Sequence, residues 1–353
     1  MRIALDTSGL EEKSLKKHKV RGAGEYVENL IKYLPIYDKE NEYIVLNRGE
    51  KLPSDVDLIH YPYFEPFFLS APLISKKPSV VTIHDLIPIV FPEHFPSGSK
   101  GGLKWQIQKY SLSFRKKIIT DSFSSKKDIE RFTGVSGAKI NVVYLAPSEE
   151  FKKLEPGSWK SEIEEKFSLP KRFMLYVGDA TWNKNLVRLA EAVRKTDIPL
   201  VMVGKALVDK NIDEKNIWNR ELLSFRKEIE GDSRFLLLGY VTSNELNYLY
   251  NLASVLLMPS LYEGFGLPVL EAMSCGCPVI TSKEGSLSEV AGDGAYFVEA
   301  QSIDSILEGI KKVLGDERML EEMSKKGLEN VKKFSWSKTI KETAQAYKEA
   351  LND

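Results

Sequence analysis

Short runs of Val, Ile and Leu recur along the whole chain, separated by stretches in which apolar and charged positions follow helical spacing. In the first half the runs are RIALD (2–6), YIVLN (43–47), LIHY (58–61), VVTIHD (80–85), KIITDS (117–122) and INVVYL (140–145). In the second half they are FMLYVGD (173–179), PLVMVG (199–204), RFLLLG (234–239), VLLMPS (255–260), PVITS (278–282) and AYFVE (295–299). Most lack polar alternation, which predicts strands buried on both faces, hence parallel sheets covered by helices. Two successive series of this kind predict an α/β protein of two Rossmann-like, doubly wound domains.

The charged, Pro- and Gly-bearing stretch KKLEPGSWKSEIEEKFSLPKR suggests the boundary, giving an N-terminal domain over 1–166 and a C-terminal domain over 167–335. The segment SWSKTIKETAQAYKEALN (335–352) predicts a further helix, capped by Ser335, with Ile340, Ala344 and Tyr347 on one stripe. Open α/β sheets bind ligands outside the carboxyl ends of their strands, where the strand order reverses. The residues just after each strand are therefore the candidates for chemistry, and two such domains are expected to face each other across a cleft.

Composition narrows the class. The 353 residues are 42% hydrophobic and 28% charged with zero formal net charge, the balance of a soluble globular protein without attraction for nucleic acid. The opening MRIALDTSGLEE lacks the apolar core of a signal peptide, and no stretch approaches the roughly 20 apolar residues of a membrane span. A cytoplasmic protein is expected, at most peripheral at the inner face of the membrane. Cys275 and Cys277 are the only cysteines, and without a second pair or a nearby histidine they read as buried thiols rather than a zinc site. Asp55-Val-Asp57 lacks supporting ligands and reads as loop, so no metal site is expected.

The richest segment is MPSLYEGFGLPVLEAMSCGCPVITS (258–282). A strand ends at Pro259 and Ser260, a turn carries Glu263, Gly264 and Gly266, and a helix begins near Pro268, a residue suited to a first helical turn. The N–H groups of Gly264, Phe265, Gly266 and Leu267 together with the helix dipole make an anion site. Glu271 sits about one turn into the helix. It reads either as a charge complementing the dipole or as an acceptor for ribose hydroxyls. A hydrolase pair of carboxylates is disfavoured, because a helix N-terminus keeps a carboxylate ionised, the wrong direction for a general acid.

The run from Leu238 to Glu289 resembles the donor-binding half of the retaining family-4 glycosyltransferases of the GT-B fold. RGAGEYVENLIKYL (21–34), VTIHDLIPIVFPEHFP (81–96), TDSFSSKKDI (120–129), YVGDATWNKNL (176–186), VMVGKA (201–206) and FSWSKT (334–339) are also similar, in the same order. The resemblance implies that Glu263 contacts the transferring sugar and Glu271 the ribose. It implies further that the backbone of Gly264–Leu267 holds sugar and diphosphate, that Lys184 neutralises the departing diphosphate, and that the stretch Gly239–Val241 borders the nucleobase. Gly178 and the Gly22–Gly24 loop would border the diphosphate. Where many relatives carry a second basic residue, this chain has Asp179 and Asn183, so either Lys205 helps with the diphosphate or the chain relies more on Lys184 and the helix end. The resemblance also implies that the helix over 336–353 packs back on the N-terminal domain, and that no divalent metal or other cofactor is needed.

Of the four histidines, His84 follows the VVTIHD strand and is placed by the resemblance against the donor sugar, the diphosphate or the acceptor. His18, His60 and His94 read as loop or packing residues. The aromatic stretch YPYFEPFFLSAPL (61–73) and the basic, aromatic stretch KGGLKWQIQKYSLSFRKK (100–117) read as core packing with a solvated lysine face, or as an acceptor lip or membrane-surface contact. The expected reaction is transfer of a hexosyl unit, with mannosyl from GDP-mannose as first choice and UDP-hexoses behind it. The acceptor is expected to be a glycan or lipid-linked glycan of surface-polysaccharide assembly. The alternatives are a nucleotide-sugar epimerase and a non-catalytic nucleotide-sugar-binding protein.

Overall fold

The computed structural model describes residues 1–8, 22–155 and 157–352, which divide into two compact units. Unit 1 is Met1–Ala146 with Phe334–Asp353, and unit 2 is Pro147–Lys333. Unit 1 holds β1 (Arg2–Asp6), β2 (Glu42–Leu46), β3 (Leu58–Tyr61), β4 (Ser79–Thr82), β5 (Lys117–Thr120) and β6 (Ile140–Val142), in the sheet order β2-β1-β3-β4-β5-β6. Its helices are α1 (Gly22–Tyr37), α2 (Ile87–Val90), α3 (Gly98–Ser111), α4 (Phe123–Thr133) and, after the whole of unit 2, α14 (Trp336–Asn352).

Unit 2 holds β7 (Met174–Val177), β8 (Leu200–Val203), β9 (Phe235–Gly239), β10 (Val255–Met258), β11 (Val279–Thr281) and β12 (Ala295–Phe297), in the order β12-β11-β10-β7-β8-β9. Its helices are α5 (Trp159–Lys166), α6 (Leu186–Arg194), α7 (Lys205–Val208), α8 (Arg220–Glu228), α9 (Ser243–Leu252), α10 (Leu267–Ser274), α11 (Leu287–Ala291), α12 (Ile303–Leu314) and α13 (Glu317–Val331). Every strand pairing in both sheets is parallel. The continuous apolar runs become strands buried along their whole length, as in β4, β8 and β10.

The strand order reverses between β7 and β10 in unit 2 and between β1 and β3 in unit 1. Loops leaving the carboxyl ends on either side of such a point diverge and leave a crevice. Several strands stop short of their apolar runs: β4 ends at Thr82 and β5 at Thr120, so His84 and Asp121 lie on the loops beyond.

The division between units falls after Ala146, some way before the expected boundary at 166. The reason is that α5 and its approach are tied to α9. Trp159 stacks on Tyr248 at 5.0 Å, the Lys152 N–H donates to Asn247 Oδ1 at 3.1 Å, and the Leu154 N–H donates to Asn251 Oδ1 at 2.8 Å. Helix α14 belongs to unit 1. Ser335 Oγ accepts from the Lys338 N–H at 3.2 Å as its cap, and Ile340, Ala344 and Tyr347 are buried. Trp336 stacks on Tyr33 of α1 at 5.3 Å, and Thr339 Oγ1 donates to the Tyr144 carbonyl at 2.7 Å.

Candidate active site

The loops after β7 and β10 flank the reversal point of unit 2 and are bonded to each other. A short 3₁₀ turn, Trp182–Lys184, ends at Asn185, which is left-handed at φ 60°. The Asn185 side chain is wholly buried and donates to the Pro259 carbonyl at 2.9 Å and the Ala300 carbonyl at 2.6 Å. Asn183 Nδ2 donates to the Tyr262 carbonyl at 3.0 Å, while the Leu261 N–H donates to the Asn183 carbonyl at 2.7 Å. Asn183 thus serves to fix the glutamate loop.

This lacing brings Lys184 onto Glu263. Lys184 Nζ lies 2.7 Å from Glu263 Oε1 and 2.9 Å from Oε2, and the two side chains are only 17% and 7% exposed. Two charges held this far from water attract strongly and are costly to separate. The glutamate backbone is held as well. The Ser286 N–H donates to the Glu263 carbonyl at 3.1 Å, and Ser286 Oγ sits 2.8 Å from the Phe265 carbonyl. Gly285, at φ 62°, makes this approach feasible, because a Cβ there would stand 2.4 Å from the Glu263 carbonyl oxygen. Gly266, at φ 96°, caps α10, whose first turn carries Leu267 and Pro268. Gly264–Leu267 therefore leads into the helix N-terminus directly beside the ion pair.

Glu271 lies on α10 but is buried, and its Oε2 accepts from the Tyr250 hydroxyl at 2.8 Å. Burial first, and the Glu271 charge second, push the Tyr250 hydroxyl well above its ordinary range, so it stays a donor. A residue serving only the helix dipole would sit in solvent, which Glu271 does not. Gly178 follows β7, its N–H donating to the Val203 carbonyl at 3.0 Å. Lys205 opens α7 after β8 and is exposed. The Val241 side chain packs into the core, so contacts at Gly239–Val241 would come from backbone or from the Tyr240 ring, which is 65% exposed.

In unit 1, His84 follows β4 and Asp121 follows β5, the adjacent strand. His84 Nδ1 lies 2.6 Å from Asp121 Oδ2, and the imidazole packs edge-on against Tyr26 of α1 at 4.8 Å. Burial alone would lower the histidine's pKa, but the Asp121 charge and hydrogen bond, with Asp85 behind them, raise it overall. Asp121 was not singled out in the sequence, although the TDSF run after a strand next to β4 carries the signal. Gly22 opens α1 and Gly24 is buried in its first turn.

His60 is a core residue. Its Nδ1 is 2.7 Å from the Tyr347 hydroxyl and its Nε2 2.8 Å from Thr82 Oγ1, and burial first, then the nearby His84, lower its pKa to about 3. Asp55 and Asp57 bind Arg2, the latter accepting from its N–H at 2.8 Å. Both cysteines are buried and free, and burial pushes the Cys277 thiol up to about 12. His94 lies 3.7 Å from Glu93. His18 falls outside the described residues. Among the described residues no group of three or more His, Cys, Asp or Glu side chains could hold a metal ion, and no helix is long and apolar enough to cross a membrane.

The profile described as "Glycosyl transferases group 1" matches residues 158–330, and that described as "Glycosyltransferase Family 4" matches residues 44–146. O-antigen chain mannosyltransferase B of Escherichia coli is 31% identical over 298 residues, 83% of this chain and 75% of that protein. The chain belongs to this glycosyltransferase family. A second relative, the serotype-specific mannosyltransferase WbdA of Escherichia coli, is 28% identical over 74% of this chain, which spans 32% of its length. The structure of Anabaena Alr3699/HepE in complex with UDP and glucose is similar in fold at a TM-score of 0.72, with 17% identity, covering 98% of this chain and 99% of that one. The fold is GT-B, and the enzyme is a glycosyltransferase rather than an epimerase.

Proposed function

We propose that this glycosyltransferase moves a mannosyl unit from GDP-mannose to a hydroxyl of a glycan or lipid-linked glycan in surface-polysaccharide assembly, with retention and without a divalent metal. The observation that carries the reading is the chelated Lys184–Glu263 pair beside the Gly264–Leu267 turn. An arriving diphosphate competes with Glu263 for Lys184, and the released carboxylate turns to the sugar hydroxyls. The helix N-terminus and Lys184 then stabilise the charge that develops on the departing diphosphate. A diphosphate oxygen takes the acceptor proton, so no protein nucleophile is required. Glu271 holds the ribose, Lys205 adds positive charge, and His84 contacts the sugar or orients the acceptor. The mannosyl choice is supported by the two Escherichia coli relatives, both mannosyltransferases.

The test is turnover with GDP-mannose and UDP-glucose in the presence of EDTA, with the anomeric configuration read by NMR. GDP-mannose turnover with retention is expected. Complete loss in EDTA restored by Mg²⁺ would overturn the metal-free reading, and preference for a UDP-hexose the choice of donor. A second reading, peripheral contact with the inner face of a membrane, is favoured by exposed Leu103 and Tyr110 on α3, with Phe114 just beyond, among Lys100, Lys104 and Lys109. Flotation with vesicles containing anionic lipid, lost on Leu103→Glu, is the expected result.

A further inference from the structure

A small cavity of about 160 Å³ opens in unit 1 at the carboxyl ends of β3 and β4, lined by Ala23, Tyr63, Phe64, Glu65, His84, Asp85 and two prolines. It is well below the roughly 300–1,000 Å³ of a drug-sized site and suits one ring-sized group. Its floor is rigid. Gln108 Nε2, from α3, donates to the Phe68 carbonyl at 2.6 Å and to Ser70 Oγ at 2.8 Å, and Ser70 Oγ in turn accepts from the Glu65 N–H at 3.2 Å. Asp85 is fixed from the other side, its Oδ1 accepting from the Ile87 N–H at 2.9 Å.

Two carboxyl groups and an imidazole thus share one pocket with aromatic walls. The side-chain hydrogen bond to Glu65 is a long one from the Tyr63 hydroxyl, at 3.4 Å. Burial first, and the like charge of Asp85 second, push the Glu65 carboxyl up to about 7. The His84 Nε2 atom is buried without a hydrogen-bond partner among the described residues. Asp121 offsets the charge of a protonated His84, so the two carboxyl groups set the charge of this pocket and supply its acceptors, with His84 Nε2 as one donor. The pocket repels phosphate or carboxylate and gains from a neutral ligand that donates several hydroxyls and presents a C–H face to aromatic rings.

We propose that Glu65 and Asp85 hold the hydroxyls of a neutral sugar ring, making them specificity-determining residues for the transfer. The assignment rests on the glycosyl-transfer reading above. The ring can arrive on the acceptor or on the donor, and kinetics separate the two. With methyl α-mannopyranoside as acceptor probe, Glu65→Gln and Asp85→Asn should raise its KM by roughly tenfold to a hundredfold if the ring is the acceptor's. A comparable rise in the GDP-mannose KM, with the acceptor KM unmoved, identifies the donor sugar instead. In either case mannose 6-phosphate should be a poorer ligand of the wild type than the neutral methyl mannoside, measured by saturation-transfer NMR. Unchanged KM values for both substrates in both variants, or equal binding of the phosphorylated sugar, overturn the proposal. Absence of any transfer by the wild type overturns the functional reading instead, while the NMR comparison still tests the pocket.

Discussion

Removing Lys184 should damage the fold as well as the chemistry. At sequence level a lysine on a loop reads as flexible and dispensable for packing, but its ammonium chelates both oxygens of Glu263, and both side chains are largely buried. Deleting one partner of a buried ion pair costs about 3–5 kcal/mol, chiefly because the other charge is left uncompensated. Lys184 retains 17% exposure, so water can reach the space left by Lys184→Ala, and a loss of about 2–3 kcal/mol is expected. With a urea slope of roughly 2 kcal/mol/M, the unfolding midpoint should fall by about 1–1.5 M. Because the chain has two units, the transition should be followed by a local probe, and Trp182, two residues away, serves. The double variant Lys184→Met/Glu263→Gln removes both charges with little change of volume and should recover most of the lost stability. None of these variants should regain turnover. Equal midpoints for wild type and Lys184→Ala, or a double variant whose loss is the sum of the two single losses, would refute the reasoning.

Three further outcomes are expected. Glu271→Gln should raise the donor KM with kcat less affected, whereas Glu263→Gln should lower kcat and kcat/KM together by roughly 30- to 150-fold; steady-state kinetics with two sugars on one nucleotide would expose a reversed assignment. The raised pKa of His84 means that the folded state favours its protonated form, a contribution present below the ordinary histidine value and lost as pH rises through the raised one. Asp121→Asn should therefore lower Tm more at pH 6 than at pH 9, and the opposite order would contradict the pairing. Tyr347→Phe leaves the buried His60 Nδ1 without its partner at a cost of about 1–3 kcal/mol, seen as a lower Tm; an unchanged Tm would show that the bond contributes nothing.

Much of the architecture was legible because β-strands buried on both faces leave a plain mark: RIALD and LIHY became β1 and β3 residue for residue, and each of the other apolar runs overlaps one strand. The first unit boundary was not, because the composition of 155–166 looks like a linker while its tertiary partners, Tyr248 and Asn247, lie far along the chain. The turn around Glu263 could be read locally, since its glycines and the helix start are contiguous. Its ion pair with Lys184 depends on β7 and β10 being neighbours, a property of strand order. Glu65 lies in the aromatic 61–73 stretch that reads as packing or an acceptor lip, with nothing local to mark the carboxylate itself. It became conspicuous only once Asp85 stood across from it.

The discontinuity of unit 1 has a consequence for how the protein is made. Helix α14, which closes over β4 and β5 and supplies the hydroxyl that pairs with His60, is encoded after the whole of unit 2. At ribosomal rates of about 5–20 residues per second, β1–β6 would wait on the order of ten to forty seconds for it. During that interval Tyr33 and Tyr43, which pack against Trp336 and Tyr347 of α14, are uncovered, and the nascent sheet is a natural client for a holdase chaperone. Unit 2, contiguous in the chain, has no such delay. It is free to reach its native packing first, so the unit whose strands are made earlier is the one that finishes folding later.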